Sequence, residues 1–429
     1  VVLGEWYIPG TPTPPEPEQP DWFKESIVAW YSPYCKQKLT NYDVIEAYVE
    51  DFTNWNYVKA RGVATISQHK FIITECILKG LSIVEDIQEP YSNLTVRIIG
   101  ITDNQEVLIT DYVNGQHQII NTITEDGIYT IEDRHHFVGF GCNFVGTCNI
   151  TIEQLPTSIL KDLSGNKHDA YLYGFKGKLN SGVGIYAQDF KNWGYGSTIN
   201  KDISTKSYNK FHIVKKKADN WFGFTIGIPK NNYYNQSYKL KFNINKKIDD
   251  IKFSIVSTDG NLITTAAYSV YINDGSIIDV PIISEEIFNN KEETNIYYDF
   301  GTNKDIEIDV ELIANYPNQL CYDGKSYAIT YGLPILTDYT VIADRTWFAE
   351  KVDNGVFMSK ALEQNGAFIL EYKQGDRWNT YSYYSATNIN IDKDNSIVYQ
   401  TKNKYNEQTI YPGDKQDTDT LFIGTIRKD

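Results

Sequence analysis

The chain has little methionine, little cysteine and no long apolar run. Its 429 residues include 1 Met and 5 Cys against 33 Tyr. A composition rich in tyrosine and poor in methionine is typical of short β-strands rather than helices. No apolar run approaches the roughly 18–20 residues that a transmembrane helix needs. We therefore expect an all-β protein without a membrane span.

Basic residues are also scarce relative to acidic ones. The chain carries 40 Lys and Arg against 55 Asp and Glu, a formal net charge of −15. Binding to a phosphate backbone requires clustered Lys and Arg, so this charge argues against nucleic acid as a partner. No Gly-rich phosphate loop and no His-Glu-x-x-His motif occurs, and we expect no organic cofactor.

The cysteines leave two alternatives open. None of the five forms a Cys-x-x-Cys pair or a metal-binding spacing. Cys142 and Cys148 could face each other across a hairpin. The odd count instead favours free, buried thiols.

Strand patterns run through the chain from Trp22 onward. The stretch at 238–245 alternates strictly between apolar and polar residues, which predicts a half-buried strand. Many similar runs are separated by polar turns, and the one helix candidate of note is a short stretch near 284–293. The fold class predicted is all-β, with several β-sandwich domains.

An internal repeat divides these strands into two sets. DFTNW at 51–55 recurs as DFKNW 138 residues later, and KFIIT at 70–74 recurs as KFHIV. LTVRIIG has a counterpart in YKLKFNI, and ITIE at 150–153 has one in IDVE. Because the order is kept while the offset grows, loop insertions into one shared fold explain the pattern. We predict related β-sandwiches at 47–156 and 187–318.

The segments outside the repeats carry a second set of motifs. They read AWYSP, DLSGNKHDA, CYDGKSYAIT and YTVIADRTW in chain order. Taken together they resemble a jelly roll of the LamG, concanavalin-like type. The resemblance implies one discontinuous jelly roll made of 21–46, 157–186 and 319–429, interrupted by the two sandwiches.

The first 20 residues form a separate segment. Residues 10–20, GTPTPPEPEQP, are rich in proline and predict a stiff polyproline II linker. The preceding residues contain an apolar cluster of Trp6, Tyr7 and Ile8. We predict that this cluster anchors the chain in a partner subunit.

One motif resembles a catalytic signature. Glu307, Asp309 and Glu311 match the Glu-x-Asp-x-Glu pattern of family-16 glycoside hydrolases, in which the glutamates serve as nucleophile and acid. On a strand the three carboxylates share one face. The equivalent segment of the first repeat, 149–153, lacks two of the carboxylates. The alternative, a solvated strand face, is therefore favoured.

Two further groups are candidate binding residues. Asp162, Asn166 and Asp169 could offer oxygen ligands to Ca²⁺, or they could form a plain Asx/Gly turn. For glycan binding the candidates are the aromatic residues of the stretch 376–385, because flat rings with polar neighbours suit sugar stacking. These aromatic residues are Trp378, Tyr381, Tyr383 and Tyr384.

The combination of these features resembles a group of viral proteins. Nested LamG-like and DFxNW repeat units in an Asn-, Tyr- and Ile-rich chain are similar to virion appendage proteins of phages that infect Bacteroidetes, including the crAss-like group. The resemblance implies a non-enzymatic head or tail fibre component in the virion. It also implies a homotrimer that contacts other virion proteins and host surface glycans. The alternative is a secreted or cell-surface protein of Bacteroidetes, either a glycan-active enzyme built on Glu307, Asp309 and Glu311 or a glycan-binding protein.

Overall fold

Within the residues that it describes, the computed structural model consists of β-strands and two short 3-10 helices, Phe52–Asn54 and Lys59–Arg61. It describes residues 27–32, 39, 44–84, 93–113, 116–132, 138–177, 207, 209–215, 238–244, 251–259, 262–281, 295–301, 304–313, 320, 322, 326–334, 339–344, 355–360, 368–373, 377–382, 385–390, 397–402, 408–412 and 421–424. No helix among these residues is long and apolar enough to cross a membrane. The helix candidate near 284–293 lies outside them.

The strands are numbered in chain order. Strands β1 to β10 are Ile27–Tyr31, Asn56–Tyr57, Gly62–Ser67, Lys70–Cys76, Gly80–Val84, Leu94–Ile99, Val107–Val113, Gln116–Ile123, Gly127–Ile131 and Val138–Cys142. Strands β11 to β20 are Gly146–Gln154, Ile159–Leu160, Ala170–Tyr173, Lys210–Lys215, Tyr238–Ile244, Ile251–Asp259, Leu262–Ile272, Ile277–Val280, Asn295–Gly301 and Ile306–Ile313. Strands β21 to β29 are Tyr327–Thr330, Tyr339–Asp344, Gly355–Lys360, Phe368–Lys373, Arg377–Ser382, Ser385–Asn390, Ile397–Lys402, Gln408–Pro412 and Leu421–Gly424.

Sandwich 1 comprises β2 to β11. One sheet has the order β3-β4-β11-β6-β9 and the other β2-β5-β10-β7-β8. The DFTNW motif directly precedes the first strand of this sandwich, and its Phe52 and Trp55 are buried against Phe71 and Phe140. Such aromatic pairs add about 0.5–1.5 kcal/mol beyond the burial of their area. The motif is thus part of the core.

Sandwich 2 comprises β14 to β20. Its sheets have the orders β14-β20-β15-β18 and β17-β16-β19. Strand β15 alternates between buried and partly buried residues along its whole length, as its sequence predicts. The core between the sheets is aliphatic and aromatic, and the hydroxyls of Tyr238 and Tyr298 meet inside it at 2.8 Å.

The two sandwiches share one topology. The order β4-β11-β6-β9 of sandwich 1 corresponds to β14-β20-β15-β18 of sandwich 2, and β10-β7-β8 corresponds to β19-β16-β17. Register is kept as well, since Lys70 pairs with Glu153 and Lys210 pairs with Glu311. The prediction of two related β-sandwiches is confirmed. The second DFxNW copy, at 189–193, lies outside the described residues.

The remaining strands form three sheets. Their orders are β1-β29-β22-β27-β28, β23-β24-β25-β26 and β12-β13-β21. The pairs β1–β29 and β13–β21 join segments that are far apart in the sequence. An interrupted jelly roll requires pairings of this kind. The domain boundaries and the LamG likeness stay predictions.

The cysteine pairing differs from both alternatives that the sequence left open. Cys142 on β10 forms a disulfide with Cys76 on β4, so the bond joins the two sheets of sandwich 1. The hairpin pairing of Cys142 with Cys148 is wrong, because β11 pairs with β4 and β6 rather than with β10. Free thiols are wrong for Cys142, whereas Cys148 is free, and its Sγ donates to the carbonyl of Ile73 at 3.3 Å.

Candidate functional site

The carboxylates of the hydrolase-like motif lie on the outer face of sandwich 2. Strand β20 buries its alternate aliphatic residues in the core, whereas Glu307, Asp309 and Glu311 are partly exposed. The strand period of two places all three on one side of the sheet, as predicted. Backbone positions four residues apart on a strand are about 13 Å apart.

We call Glu307, Asp309 and Glu311 the acidic stripe, and basic side chains of the neighbouring strand β14 contact it. His212 Nδ1 lies 2.8 Å from Asp309 Oδ1, and its Nε2 lies 3.2 Å from Glu307 Oε1. Lys210 Nζ lies 3.6 Å from Asp309 Oδ2. The Nδ1 contact is a hydrogen bond whose donor depends on the tautomer of the ring, whereas the Nε2 contact is an ion pair only when the ring is protonated. Two of the three carboxylates therefore have cationic or hydrogen-bonding partners.

Sandwich 1 has a similar arrangement at an equivalent position. Glu153 on β11 is opposite Arg97 on β6, with Oε2 and Nη1 3.6 Å apart. Glu311 on β20 is opposite Lys241 on β15. Opposite charges paired across strands contribute about 0.2–1 kcal/mol each. The last carboxylate of the motif thus occupies a position that both repeats use for cross-strand charge pairing.

Asp162 organises the loop between β12 and β13. Its Oδ1 accepts the backbone N–H groups of Trp30 and Ser164, each at 2.9 Å, and its Oδ2 accepts that of His168 at 3.1 Å. The bond from Ser164, two residues on, is that of an Asx turn. Lys167 has a φ of +63° in this loop, a left-handed backbone conformation that is uncommon for residues other than glycine.

The other two candidate ligands have similar partners. Asp169 accepts the backbone N–H of Asp162 at 2.9 Å and the ammonium of Lys161 at 2.6 Å. The side-chain amide of Asn166 donates to the carbonyl of Ile27 at 2.8 Å. The loop therefore fastens strand β1 to the neighbouring sheet. In the described part of the chain no three His, Cys, Asp or Glu side chains are grouped to hold a metal ion, and Ca²⁺ binding stays a prediction.

A further group of residues, which the sequence analysis did not single out, is the tyrosine cluster. It consists of Tyr48, Tyr173, Tyr327 and Tyr331, and Tyr48 is close enough to Tyr173 and Tyr327 to interact electrostatically with both. Tyr173 and Tyr327 lie opposite each other on β13 and β21, and their rings stack with centroids 5.1 Å apart. The hydroxyls of Tyr173 and Tyr331 are 3.2 Å apart. The alternation in AYLYG and SYAITY could have shown that tyrosines share a face, but it could not have brought Tyr48 to them.

Charged side chains surround the tyrosine cluster. The guanidinium of Arg97 lies 4.7 Å from the ring centroid of Tyr331. Its partner Glu153 thus lies next to the cluster. The hydroxyl of Tyr48 donates to Glu46 at 2.6 Å, and the other carboxylate oxygen of Glu46 accepts the backbone N–H of Gly174 at 2.7 Å. Side chains of sandwich 1 and of the β12-β13-β21 sheet therefore meet here.

Three phenols of the cluster stay neutral at physiological pH. Burial raises the pKa of Tyr48, Tyr173 and Tyr331, and the hydrogen bond with Tyr331 raises that of Tyr173 further. Burial also raises the pKa of neighbouring Tyr171 to about 12. Neutral phenols both donate and accept hydrogen bonds. Tyr173 is 8% exposed, whereas Tyr327 keeps 50% of its surface accessible.

The remaining candidate residues are those proposed for glycan binding and for anchoring. Trp378 and Tyr381 belong to β25, an inner strand of the β23-β24-β25-β26 sheet. The other candidate glycan ligands, Tyr383 and Tyr384, lie outside the described residues. So do the candidate anchor residues at positions 6–8. Their roles in glycan binding and anchoring stay predictions.

Comparison with known proteins gives structural likenesses only. No protein-family model and no curated protein matches the chain. The CBM22-1–CBM22-2 tandem domain of Xyn10C from Paenibacillus barcinonensis matches at 9% identity over 67% of this chain and 98% of its own, with a TM-score of 0.25. AerE from Microcystis aeruginosa matches at 12% identity over 59% and 98%, with a TM-score of 0.15. Vicilin from Corylus avellana matches at 9% identity over 66% and 87%, with a TM-score of 0.13. At such TM-scores these likenesses carry no argument about function.

Proposed function

We propose that the protein is a non-enzymatic structural component of a phage virion, a head or tail fibre appendage that contacts host surface glycans. The sequence resemblance to virion appendage proteins supports the location. The two sandwiches of equal topology support a modular, extended role, because repeated β-sandwiches present surfaces without requiring a catalytic cleft.

The charge pairing of the acidic stripe is the observation that carries the non-enzymatic part. Asp309 contacts both His212 and Lys210. Glu311 lies opposite Lys241, as Glu153 lies opposite Arg97 in sandwich 1. A retaining glycosidase needs its two carboxyl groups about 5–5.5 Å apart. Carboxylates that pair with basic side chains of neighbouring strands on an open sheet favour a structural role over a catalytic one.

Location is tested with antibodies against the purified chain. Immunogold labelling of phage particles with these antibodies should decorate the head or the tail, and the chain should co-sediment with infectious particles. Labelling of the envelope of uninfected bacteria, with none on particles, would instead support the alternative of a cell-surface or secreted protein.

Catalysis is tested on the acidic stripe itself. The purified chain should release no reducing sugar from β-glucans, carrageenans or bacterial capsule extracts, and the variants Glu307→Gln and Glu311→Gln should behave identically. Reproducible release that disappears in both variants would establish the hydrolase alternative.

Assembly follows from the same proposal. Most homo-oligomers have closed symmetry, and the resemblance to virion appendage proteins implies a trimer, so light scattering of the full chain should give the mass of a trimer. Burial of Trp6 and Tyr7 in a partner could contribute about 1.5–3 kcal/mol each. Deletion of residues 1–20 should therefore leave the sandwiches folded but prevent incorporation into particles. Normal incorporation of the truncated chain would contradict the anchor.

A further inference from the structure

The tyrosine cluster presents an aromatic surface that packing alone does not use up. Tyr173 is the buried member, and its stacking on Tyr327 fixes the orientation of a ring that remains half exposed. Neighbouring residues of β21 are also exposed or partly exposed. A ring held by a neighbour and open to solvent can bind a ligand without losing much conformational entropy.

The groups around the exposed ring match the chemistry of a sugar. A pyranose ring has an apolar face of C–H groups and a rim of hydroxyls that both donate and accept hydrogen bonds. Tyr327 offers the flat apolar surface. The hydroxyls of Tyr48 and Tyr331 already bond to Glu46 and Tyr173, and each oxygen can accept a further hydrogen bond. Glu153 and Arg97 supply an acceptor and a donor set that already restrain each other through their ion pair.

Charge selects among sugars at this surface. Glu46 and Glu153 both lie near the rings, and Arg97 lies over the ring of Tyr331 and pairs with Glu153. The chain as a whole has a net charge of −15. An anionic sugar such as a uronate would meet repulsion here, whereas a neutral one would not.

We propose that the tyrosine cluster, with Arg97 and Glu153, is a binding site for neutral oligosaccharides. Tyr327 is its stacking platform, and Tyr173 is a positioning residue beneath that platform. This inference rests on the proposed contact with host glycans and assigns it to a surface other than the candidate residues of strand β25 and the segment after it.

The test is affinity electrophoresis of the full chain in gels that contain soluble polysaccharides. The probes are a neutral β-glucan, a mannan, a galactan and, for comparison, a polyuronate. The chain should be retarded by at least one neutral polysaccharide and not by the polyuronate. Tyr327→Ala should weaken this binding about tenfold, as expected when a central aromatic contact is removed, whereas Tyr327→Phe should bind within about threefold of the native chain.

A matched control separates the site from general surface effects. Tyr271 is also an exposed strand tyrosine, 66% accessible on β17 of sandwich 2. Tyr271→Ala should bind as the native chain does. Tyr327→Ala loses the stack on Tyr173 and should lower the melting temperature slightly, whereas Tyr327→Phe keeps the stack and should not, so binding is compared at a temperature at which every variant is folded. Equal binding by Tyr327→Ala, or no retardation by any neutral polysaccharide, would overturn the site. Particle labelling would still decide the location independently.

Discussion

Gln154 gives the sharpest test of how the chain enters sandwich 1. Its side chain is 1% exposed at the end of β11. Its Oε1 accepts the backbone N–H groups of Val49 at 2.9 Å and Glu50 at 2.8 Å, and its Nε2 donates to the carbonyl of Glu50 at 2.8 Å. One amide thus replaces a strand partner for the segment that precedes the DFTNW motif.

Substitution by methionine keeps the volume and removes all three bonds. A net hydrogen bond is worth about 1 kcal/mol, and a buried polar group without its partner costs about 1–3 kcal/mol. The three lost bonds cost about 3 kcal/mol, and the buried groups left without partners add to this cost until local opening lets water reach them. We therefore expect Gln154→Met to lower the free energy of unfolding of sandwich 1 by about 3–5 kcal/mol.

Substitution by glutamate tests the direction of the bonds. A carboxylate would accept the two N–H groups, but its other oxygen would face the carbonyl of Glu50. Only the protonated acid donates there, so the pKa of the carboxyl group introduced by Gln154→Glu should rise above the ordinary value of about 4.3. Stability is then present below about pH 4 and is lost as the pH rises through the raised pKa. The deficit of Gln154→Glu relative to the native chain should therefore grow from acid to neutral pH.

The assay is hydrogen exchange of the amides of β6, Leu94–Ile99, in the full chain, because it reports the opening of sandwich 1 separately from other units. Gln105→Met is the control. Gln105 accepts one exposed bond, from the backbone N–H of Thr102 at 3.2 Å, and its loss should cost less than about 0.5 kcal/mol. If Gln154→Met were no more costly than Gln105→Met, or if Gln154→Glu showed no pH dependence, the reasoning would be refuted.

Three further predictions concern other parts of the chain. Asp162→Ala removes the acceptor of three backbone N–H groups and should lower the free energy of unfolding by about 3 kcal/mol. Millimolar Ca²⁺ should leave the melting temperature of the native chain unchanged. A rise in melting temperature with Ca²⁺ that Asp162→Ala abolishes would instead show a metal site. Reduction of the Cys76–Cys142 disulfide, whose cysteines are separated by 66 residues, should destabilise sandwich 1 by about 4 kcal/mol by the chain-entropy relation. The control variant Cys148→Ser, at a free thiol, should not destabilise it. Equal unfolding midpoints with and without reductant would contradict the prediction. Because burial raises the pKa of Tyr173, stability should fall as the pH rises beyond about 10, where the unfolded phenol ionises first, and absorbance titration should show phenolate appearing together with unfolding.

Local periodicity explains what the sequence could predict. Strands β15 and β20 alternate so regularly that their buried faces follow from the letters alone. The repeated order of markers also gave the correct equivalence of strands, because Lys70 and Lys210 keep the same register against Glu153 and Glu311. The outward direction of the acidic stripe follows from the same period.

Features that depend on contacts between distant strands could not be predicted in this way. The disulfide joins two sheets, and which residues of facing sheets meet depends on sheet packing rather than on local pattern. The tyrosine cluster likewise needs Tyr48, Tyr173 and Tyr327 to approach from three separate segments. The partner of Asp162 on strand β1, the N–H of Trp30, lies 132 residues away.

The spacing of the hydrolase-like motif also follows from strand geometry alone. Any half-buried strand with an acidic outer face places carboxylates at i, i+2 and i+4, so the spacing itself is common. Catalysis additionally requires the sheet to curve until residues about 13 Å apart at the backbone bring their carboxyl groups to about 5–5.5 Å. His212 lies between Glu307 and Asp309 and contacts both. An imidazole therefore lies beside the first glutamate of the motif and bonds to the aspartate that separates the two glutamates. For this reason our proposal of a non-enzymatic function relies on the neighbours of the carboxylates across the strands rather than on the motif itself.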